Sequence, residues 1–565
     1  MSSGTISTSP PKTKIAQVKV LTHVDRKAYW WPAVFLVSAA FNCLFQIIWL
    51  WRYTARNINY DAISYIGIAR HLVDGDFHAS LQGYWSPAFS WCIAAASLFS
   101  HNFLLSARLI SIASFVLCLP LIYLLSFKLW RSMTLASLSV LCFTLSRGVV
   151  ALSVYFIGAD FFLTAAVLAY FILLLACLRN PAPANWLKLG AVHGLASLIK
   201  AFAMPWLAVC TLLAGILLGW RNSKKVTATA LLGLTIPFAV WITWGTILST
   251  RYGRFTPGYQ SKWNLLSTEA QNTESTRNFF YLTDTSKTMD KYMVVDNMYP
   301  SSPLWDQRLH TKPLATQIVR KEILNLPEAI RRIFVLITPA GILTLPLLLR
   351  SLNSDATRSE FFWVGVVVTG SIICVLGYCM LVFDGRYVLP LIPLLMIATT
   401  PFLWPGEKRL SGTGVRAALG LLFLGSIAFF YCYKTSPFRA IRRDYQSGVY
   451  QLAAALSRVP KCNRLVVIGS GPFPAHGVGW EAGIYASYFG QCRMVGFDAK
   501  IPPDSKIEFA ITDVDKLNAD SVLLLDDART GNGAALLNAL LQDHFQLANA
   551  EQNPDKREIG SVLWK

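Results

Sequence analysis

The chain has 565 residues, of which 54% are hydrophobic and 15% charged, with a mean hydropathy of +0.44 and a formal net charge of +20. Length alone would suggest several soluble domains, but repeated apolar runs of about 20 residues exclude that and describe a polytopic α-helical membrane protein. The basic excess does not describe a nucleic-acid binder: many Lys and Arg sit in short loops between apolar runs, and no basic stripe is interleaved with aromatics.

Residues 1–28 are polar and carry Lys12, Lys14, Lys19, Arg26 and Lys27. They read as a cytoplasmic basic tail before a retained first span, because the apolar run that follows is long and lacks a small-residue cleavage site. That span runs from about Tyr29 to Trp51, with aromatics at both ends. The basic tail places its start inside, so residues 52–107 form the first outer loop.

Asn57 to Trp91 holds the densest polar chemistry beside a span. Asp61 opens a helix in which Ser64, Arg70, His71 and Asp74 recur at steps of three and four, sharing roughly one face. Tyr65, Ile68, Ala69 and Leu72 take much of the other. Such a helix is expected to lie in the membrane interface. Gly75-Asp76 ends it, and Tyr84-Trp-Ser-Pro87 opens a second apolar segment, Ser86–His101. An aromatic interfacial belt with solvated charges would give the same pattern.

Ser86–His101 has 16 residues, roughly 24 Å as a helix and short for a ~30 Å hydrocarbon core. With this segment interfacial, spans follow at about Arg108–Phe127, Met133–Val150, Phe161–Cys177, Trp186–Ile199, Phe202–Trp220 and Thr227–Leu248. Lys128 and Arg131, then Arg179 and Lys188, then Arg221, Lys224 and Lys225 all then fall inside, as the positive-inside rule requires. A crossing segment would put all of them outside and would separate Asp61 from Asp160. Residues 249–332 form a long outer loop whose end, Leu314–Arg332, is amphipathic and interrupted at Pro327. Four further spans at Ile333–Leu349, Phe361–Met380, Tyr387–Leu403 and Val415–Tyr433 bring the count to about eleven. The transmembrane domain thus covers 29–433, and residues 434–565 fall outside. Impermeant labelling checks this topology: a cysteine at Ser302 or Ser505 reacts from outside, and one at Ser223 does not. Labelling at Ser223 in sealed cells would overturn the charge argument.

Residues 434–565 have the composition of a soluble α/β layer domain, extracytoplasmic by this topology. Strands are expected at Arg464–Ile468, Met494–Phe497 and Val522–Leu525, and helices at Glu481–Phe489 and Ala534–Leu541. Gly469-Ser-Gly471-Pro only partly resembles a dinucleotide loop, because Pro472 and Pro474 break the helix that would follow. Most of the eleven cysteines lie in apolar runs without CxxC or His-rich spacing, which argues against zinc. Cys462 and Cys492 precede two strands expected to be parallel neighbours, so a Cys462–Cys492 disulfide is expected outside the membrane.

On this topology Asp61, Arg108, Asp160, Lys200 and Arg386 all project to the outer membrane face. Carboxylates and cations at one depth suit an anionic lipid head group. Snorkelling would account for each cation alone, and helix N-capping for each Asp.

The order of these motifs resembles a known family. An acidic residue follows span one, then an interfacial aromatic-Pro element, Gly158-Ala-Asp160, Gly194-Leu-Ala-Ser-Leu-Ile-Lys200, and Arg386-Tyr-Val-Leu-Pro390. From Ala28 to Pro405 the chain is similar to the GT-C polyprenyl-phosphate-sugar-dependent glycosyltransferases, in the branch of the aminoarabinose transferases, protein O-mannosyltransferases and Rgt-like enzymes. Two features differ: Tyr84-Trp-Ser-Pro87 stands where many relatives have Pro-Pro, and Asp61 alone where many have two acids.

The resemblance implies a membrane glycosyltransferase with Asp61 as acid/base and Asp160 in the same site. It implies that Lys200, Arg386 and Tyr387 hold the donor phosphate. Arg108 could join those cations, and Arg70, His71, Tyr84 and Trp85 would border the substrate pocket. No cofactor is certain; Asp61 and Asp160 could share a divalent cation, Mg or Mn. The implied partners are a polyprenyl-phosphate-linked sugar, a lipid, glycan or protein acceptor, and the lipid bilayer, with no nucleic acid. A transporter or flippase of lipid-linked sugars, or a non-catalytic envelope assembly protein, are the alternatives.

Overall fold

The computed structural model describes residues 30–54, 58–146, 148–221, 224–253, 255–258 and 385–403, short helical pieces within 323–331 and 370–379, and parts of the region from 456 to 564. Eleven helices come first in chain order: α1 (Trp30–Thr54), α2 (Tyr60–Val73), α3 (Phe77–Ser80), α4 (Ala88–Ser100), α5 (Phe103–Trp130), α6 (Met133–Leu145), α7 (Val149–Tyr155), α8 (Asp160–Arg179), α9 (Pro183–Ile199), α10 (Ala203–Arg221) and α11 (Lys224–Tyr252). A 3-10 turn, Gly385–Val388, then leads into α12 (Leu391–Leu403). Among the described residues, four helices are long and apolar enough to cross a membrane, or five if α6 and α7 form one bent span. The chain is a multi-pass membrane protein. The expected spans at Ile333–Leu349 and Val415–Tyr433, most of Phe361–Met380, and most of the 249–332 loop lie outside the described residues.

Local signals set the helix ends. Asn102 and Ser132 cap α5 and α6, their side-chain oxygens accepting from Leu105 N at 3.0 Å and Leu135 N at 3.3 Å. His101 and Arg131 close α4 and α5 in the left-handed region, with φ of 51° and 53°. Packing then orders the bundle. α1 lies on α6 and α7, α5 on α6 and α8, and α8 on α9, while α9 packs on α10 and α11 and α12 on α5 and α6. α9 and α11 approach closely at Gly190, where an added Cβ would stand 2.7 Å from Gly233 O. α12 is pinned by Trp130 Nε1, which donates to Ile397 O at 2.9 Å, and by the Ser139–Thr400 hydroxyl pair at 3.0 Å. That anchorage carries the 3-10 turn to the end of the bundle where α8 begins.

Two expectations change. The Met133–Val150 run is not one straight helix: α6 and α7 meet at 57°, with Gly148 at φ 74° starting α7. Apolar periodicity reads through that break, but only glycine takes this backbone readily. Next, α2 is more enclosed by protein than its two-faced pattern suggests. Asp61 through Ala69 are all buried, as is His71, beneath α3, α4 and α5. Of the expected polar face, Asp61, Ser64 and His71 are covered by protein while Asp74 stays exposed, and the Asp61 carboxylate and His71 imidazole find charged partners. Around Pro327, residues 325–327 and 329–331 are helical, and residue 328 lies outside the described residues. Asn325 Nδ2 donates to Cys379 O at 2.8 Å, and Ala329 is fully buried.

The short α4 agrees with the expected non-crossing segment: its 13 residues span about 20 Å. Arg179 Nη2, at the end of α8, donates to Lys128 O at the end of α5 at 2.6 Å, so these two expected inside residues share one end of the bundle.

In the carboxyl-terminal region five strands, β1 (Arg464–Ile468), β2 (Arg493–Asp498), β3 (Ser521–Leu525), β4 (Gln546–Gln552) and β5 (Glu558–Trp564), form one sheet in the order β2-β1-β3-β5-β4. β1 lies parallel between β2 and β3, with Arg464 opposite Arg493, as expected for these neighbours. β5 and β4 add an antiparallel edge. Cys462 and Cys492 lie outside the described residues. Tyr488 reaches the membrane part, its ring 5.2 Å from the Arg70 guanidinium carbon.

Candidate active site

Four charged residues from four distant places in the chain meet at one end of the bundle. Asp61 sits in the first turn of α2, Asp160 begins α8, Lys200 follows α9, and Arg386 lies in the 3-10 turn. Arg386 Nη1 is 2.7 Å from Asp61 Oδ2 and 4.0 Å from Asp160 Oδ2. Lys200 Nζ is 2.5 Å from Asp160 Oδ1. The result is an alternating chain, Asp61–Arg386–Asp160–Lys200, whose members are largely shielded from solvent. Two carboxylates within reach of one guanidinium lie at the same end of the bundle.

Helix capping does not explain the acids. The cap positions are Asn59 and Ala159, and neither Asp61 nor Asp160 occupies one. Lys200 leaves the helix in an extended conformation, with φ −146° and ψ 124°. The following backbone is held by Ser86 Oγ, which accepts from Ala201 N at 3.1 Å. Nζ also stands 4.6 Å from the centre of the Tyr387 ring. The Arg386 guanidinium lies 4.0 Å from the Phe156 ring centre and 5.9 Å from that of Tyr387. Tyr387 stacks on Tyr378 at 4.6 Å, and Tyr378 on Phe202 at 4.1 Å. Both cations are therefore seated on aromatic faces, which hold them without neutralising them.

Asn59 was not singled out in the sequence, yet it couples the two acidic loops. Its Nδ2 donates to Ile157 O at 3.0 Å, and its Oδ1 accepts from Ile157 N at 2.9 Å. One amide side chain thus pairs with both polar groups of one backbone residue, two positions before Asp61 and three before Asp160. Ser111 Oγ adds a bond from Gly158 N at 3.3 Å. A Cβ at Gly158 would stand 2.6 Å from the Phe156 ring that supports Arg386. Tyr65 is a second missed neighbour. Burial, and then the nearby Asp61 and Asp160 carboxylates, push its phenol well above the ordinary range, so it remains a hydrogen-bond donor.

The other expected residues make contacts of their own. Arg108 is buried in α5, its guanidinium carbon 6.0 Å from the Trp51 ring centre. Arg70 lies over Phe103 at 5.5 Å as well as Tyr488. His71 is buried with Nδ1 3.4 Å from Asp76 Oδ2. Trp85 meets Tyr65 edge-on at 5.0 Å and Tyr84 at 4.8 Å. A divalent cation shared by Asp61 and Asp160 does not suit this arrangement. The Arg386 guanidinium bridges the two carboxylates where such an ion would bind, and among the described residues no cluster of three His, Cys, Asp or Glu is present.

Solved structures share this architecture. ArnT from Cupriavidus metallidurans bound to undecaprenyl phosphate matches with a TM-score of 0.55 at 14% identity, over 94% of this chain and 97% of that one. The apo form of the same protein matches at 0.53 and 13%, over 95% and 98%. The oligosaccharyltransferase of Archaeoglobus fulgidus in its apo form matches at 0.53 and 12%, over 94% of this chain and 74% of that one. The fold is GT-C. At these identities the likeness is one of fold. No family model matches the sequence, and no curated protein matches it.

Proposed function

We propose that the chain is a membrane glycosyltransferase that moves a hexosyl or pentosyl group from a polyprenyl-phosphate donor to an acceptor hydroxyl at the outer face of a bacterial inner membrane. The observation that carries this reading is the Asp61–Arg386–Asp160–Lys200 chain at one end of a GT-C bundle. Two cations on aromatic seats suit the phosphate of a lipid-linked sugar, whose phosphate is itself a competent leaving group. Arriving phosphate competes with the carboxylates for Arg386 and Lys200. As Arg386 turns to the phosphate, Asp61 is released to accept the proton of the attacking hydroxyl. The acceptor oxygen bonds to the anomeric carbon, the bond to the phosphate oxygen breaks, and polyprenyl phosphate leaves with its charge matched by Lys200 and Arg386. A single displacement of this kind inverts the anomeric centre. The bilayer keeps the donor at the site and supplies proximity.

The direct experiment incubates the purified full chain in nanodiscs with a panel of undecaprenyl-phosphate glycosides and envelope acceptors, and measures released undecaprenyl phosphate. Release matched by glycosylated acceptor supports the reading. Transbilayer movement of intact glycoside without release would replace it with a flippase. Because Arg386 bridges the acids, turnover in chelator is expected to equal turnover in added magnesium or manganese. Loss of activity in chelator, restored by metal, would contradict that charge arrangement.

Asn59 enters as a positioning residue. Asn59→Ala lets the Asp160 turn drift from Asp61, and a misplacement near 1 Å costs on the order of 10-fold to 10²-fold in turnover. The loss is expected in kcat, with donor KM changed by less than about threefold, since Asn59 touches neither cation. A raised KM at unchanged kcat would show that the amide serves donor binding instead.

A further inference from the structure

The carboxyl-terminal region meets the membrane part at a place that bears on the two acids. Leu456, with Leu465 and Val467 of β1 and Leu523 of β3, belongs to one apolar core with Ile63 and Ile66 of α2. The region is therefore packed against the bundle, not merely tethered to it. Tyr488, helical between β1 and β2, packs against the same core. Its ring centre lies 5.2 Å from the Arg70 guanidinium carbon, and the Phe103 ring centre lies 5.5 Å from that carbon. Arg70 is half-buried, so the cation meets these rings partly out of water, where such a contact is stronger than on an open surface. Burial raises the Tyr488 phenol above its ordinary range, against the opposing pull of Arg70, so a neutral ring faces the guanidinium.

The position of Arg70 gives the contact its consequence. It lies in the last turn of α2, nine residues after Asp61 and about 14 Å further along the same helix. Phe103 begins α5, and Ser111, eight residues on, accepts from Gly158 N beside Asp160. The Tyr488–Arg70–Phe103 group thus joins the helix that carries Asp61 to the helix that braces the Asp160 turn. A helix of 14 residues is marginal on its own, so what grips its ends sets its direction. Arg386 and the Asn59–Ile157 bonds grip the first turn of α2, and the two rings grip the last.

We propose that the carboxyl-terminal region is a positioning element for α2: Tyr488, on Arg70, holds the last turn of the helix beside Phe103 and so keeps Asp61 at Arg386. Arg70 then acts through its helix, not by touching substrate. The hold stands on the contacts alone, and only its effect on turnover rests on the glycosyltransferase reading.

Hydrogen exchange over α2, read by mass spectrometry on the full chain in nanodiscs, tests the hold without any turnover. Tyr488→Leu keeps apolar bulk and removes the aromatic face. It is expected to speed exchange in the last turn of α2 roughly threefold to tenfold, with α8 and α9 unchanged. Tyr488→Phe keeps the face and exchanges as the wild type does. Arg70→Ala combined with Tyr488→Leu exchanges no faster than Arg70→Ala alone, because both remove one contact. In the transfer assay, Tyr488→Leu lowers kcat roughly tenfold with donor KM within about threefold, and Tyr488→Phe retains the wild-type rate. Unchanged exchange in Tyr488→Leu, acceleration spread equally over α8 and α9, or accelerations that multiply in the double variant would each overturn the hold. Faster exchange at intact kcat would overturn the positioning of Asp61. A chain that shows the exchange pattern but never releases undecaprenyl phosphate retains the hold and loses the proposed activity.

Discussion

Asp61→Asn lowers turnover at least ~10²-fold while the protein still folds, because the amide keeps the size of the carboxylate but cannot accept the proton of an acceptor hydroxyl. The substitution also removes one of the two anions paired with Arg386, so donor binding is expected to hold or tighten slightly. That pairing of a collapsed kcat with an undiminished donor affinity marks a base rather than a docking residue. The 2.7 Å contact between Asp61 and Arg386 supplies the reason. In the resting arrangement the two charges satisfy each other, and the phosphate must take the guanidinium for the carboxylate to work. Near wild-type turnover in Asp61→Asn would remove Asp61 from the mechanism.

Arg386→Ala is expected to cost about 2–4 kcal/mol of transition-state stabilisation, a loss of roughly 30-fold to 10³-fold in kcat/KM. The cost exceeds that of a simple contact because the guanidinium does two things. It lies between Asp61 and Asp160 over the Phe156 ring, and in the proposed mechanism it meets the charge that develops on the phosphate. Removing it leaves two carboxylates near each other without their shared cation, which also repels the anionic donor. Arg386→Lys restores only part of the activity, since an ammonium cannot present the same planar fork to two oxygens. Lys200→Ala is expected to fall in the same range, acting on donor binding and departure. Variants that change expression alone would mean that these cations serve only to anchor helix ends at the interface.

Much of this site was legible in the sequence because charge beside long apolar runs is rare and its side is set by the basic loops. Parity of the spans placed Asp61, Asp160, Lys200 and Arg386 on one face, and the structure brings these four into one chain. The contacts that tune the site were not legible. Asn59 looks like any polar residue before a helix; its bonds to Ile157 span 98 positions and exist only after α2 and α8 have packed. Phe156 reads as one more apolar residue, since nothing local shows that Arg386 lies above it. Periodicity also understated the burial of α2. A helix with polar residues on one side suggests solvated charges when considered alone, but α3, α4 and α5 pack on it and bury Asp61, Ser64 and His71. In the carboxyl-terminal region the apolar strands β1 to β3 were visible, whereas β4, QLANAEQ, is an edge strand too polar to announce itself.

The central claim is tested most directly by product analysis with a single defined donor. Purified chain, an undecaprenyl-phosphate glycoside of known anomeric configuration and an acceptor are allowed to react, and both products are quantified. The account predicts one undecaprenyl phosphate released for each sugar attached to an acceptor hydroxyl, with the anomeric configuration inverted and the reaction suppressed in Asp61→Asn. Retained configuration, or intact donor carried across the bilayer with no sugar transferred, would contradict it.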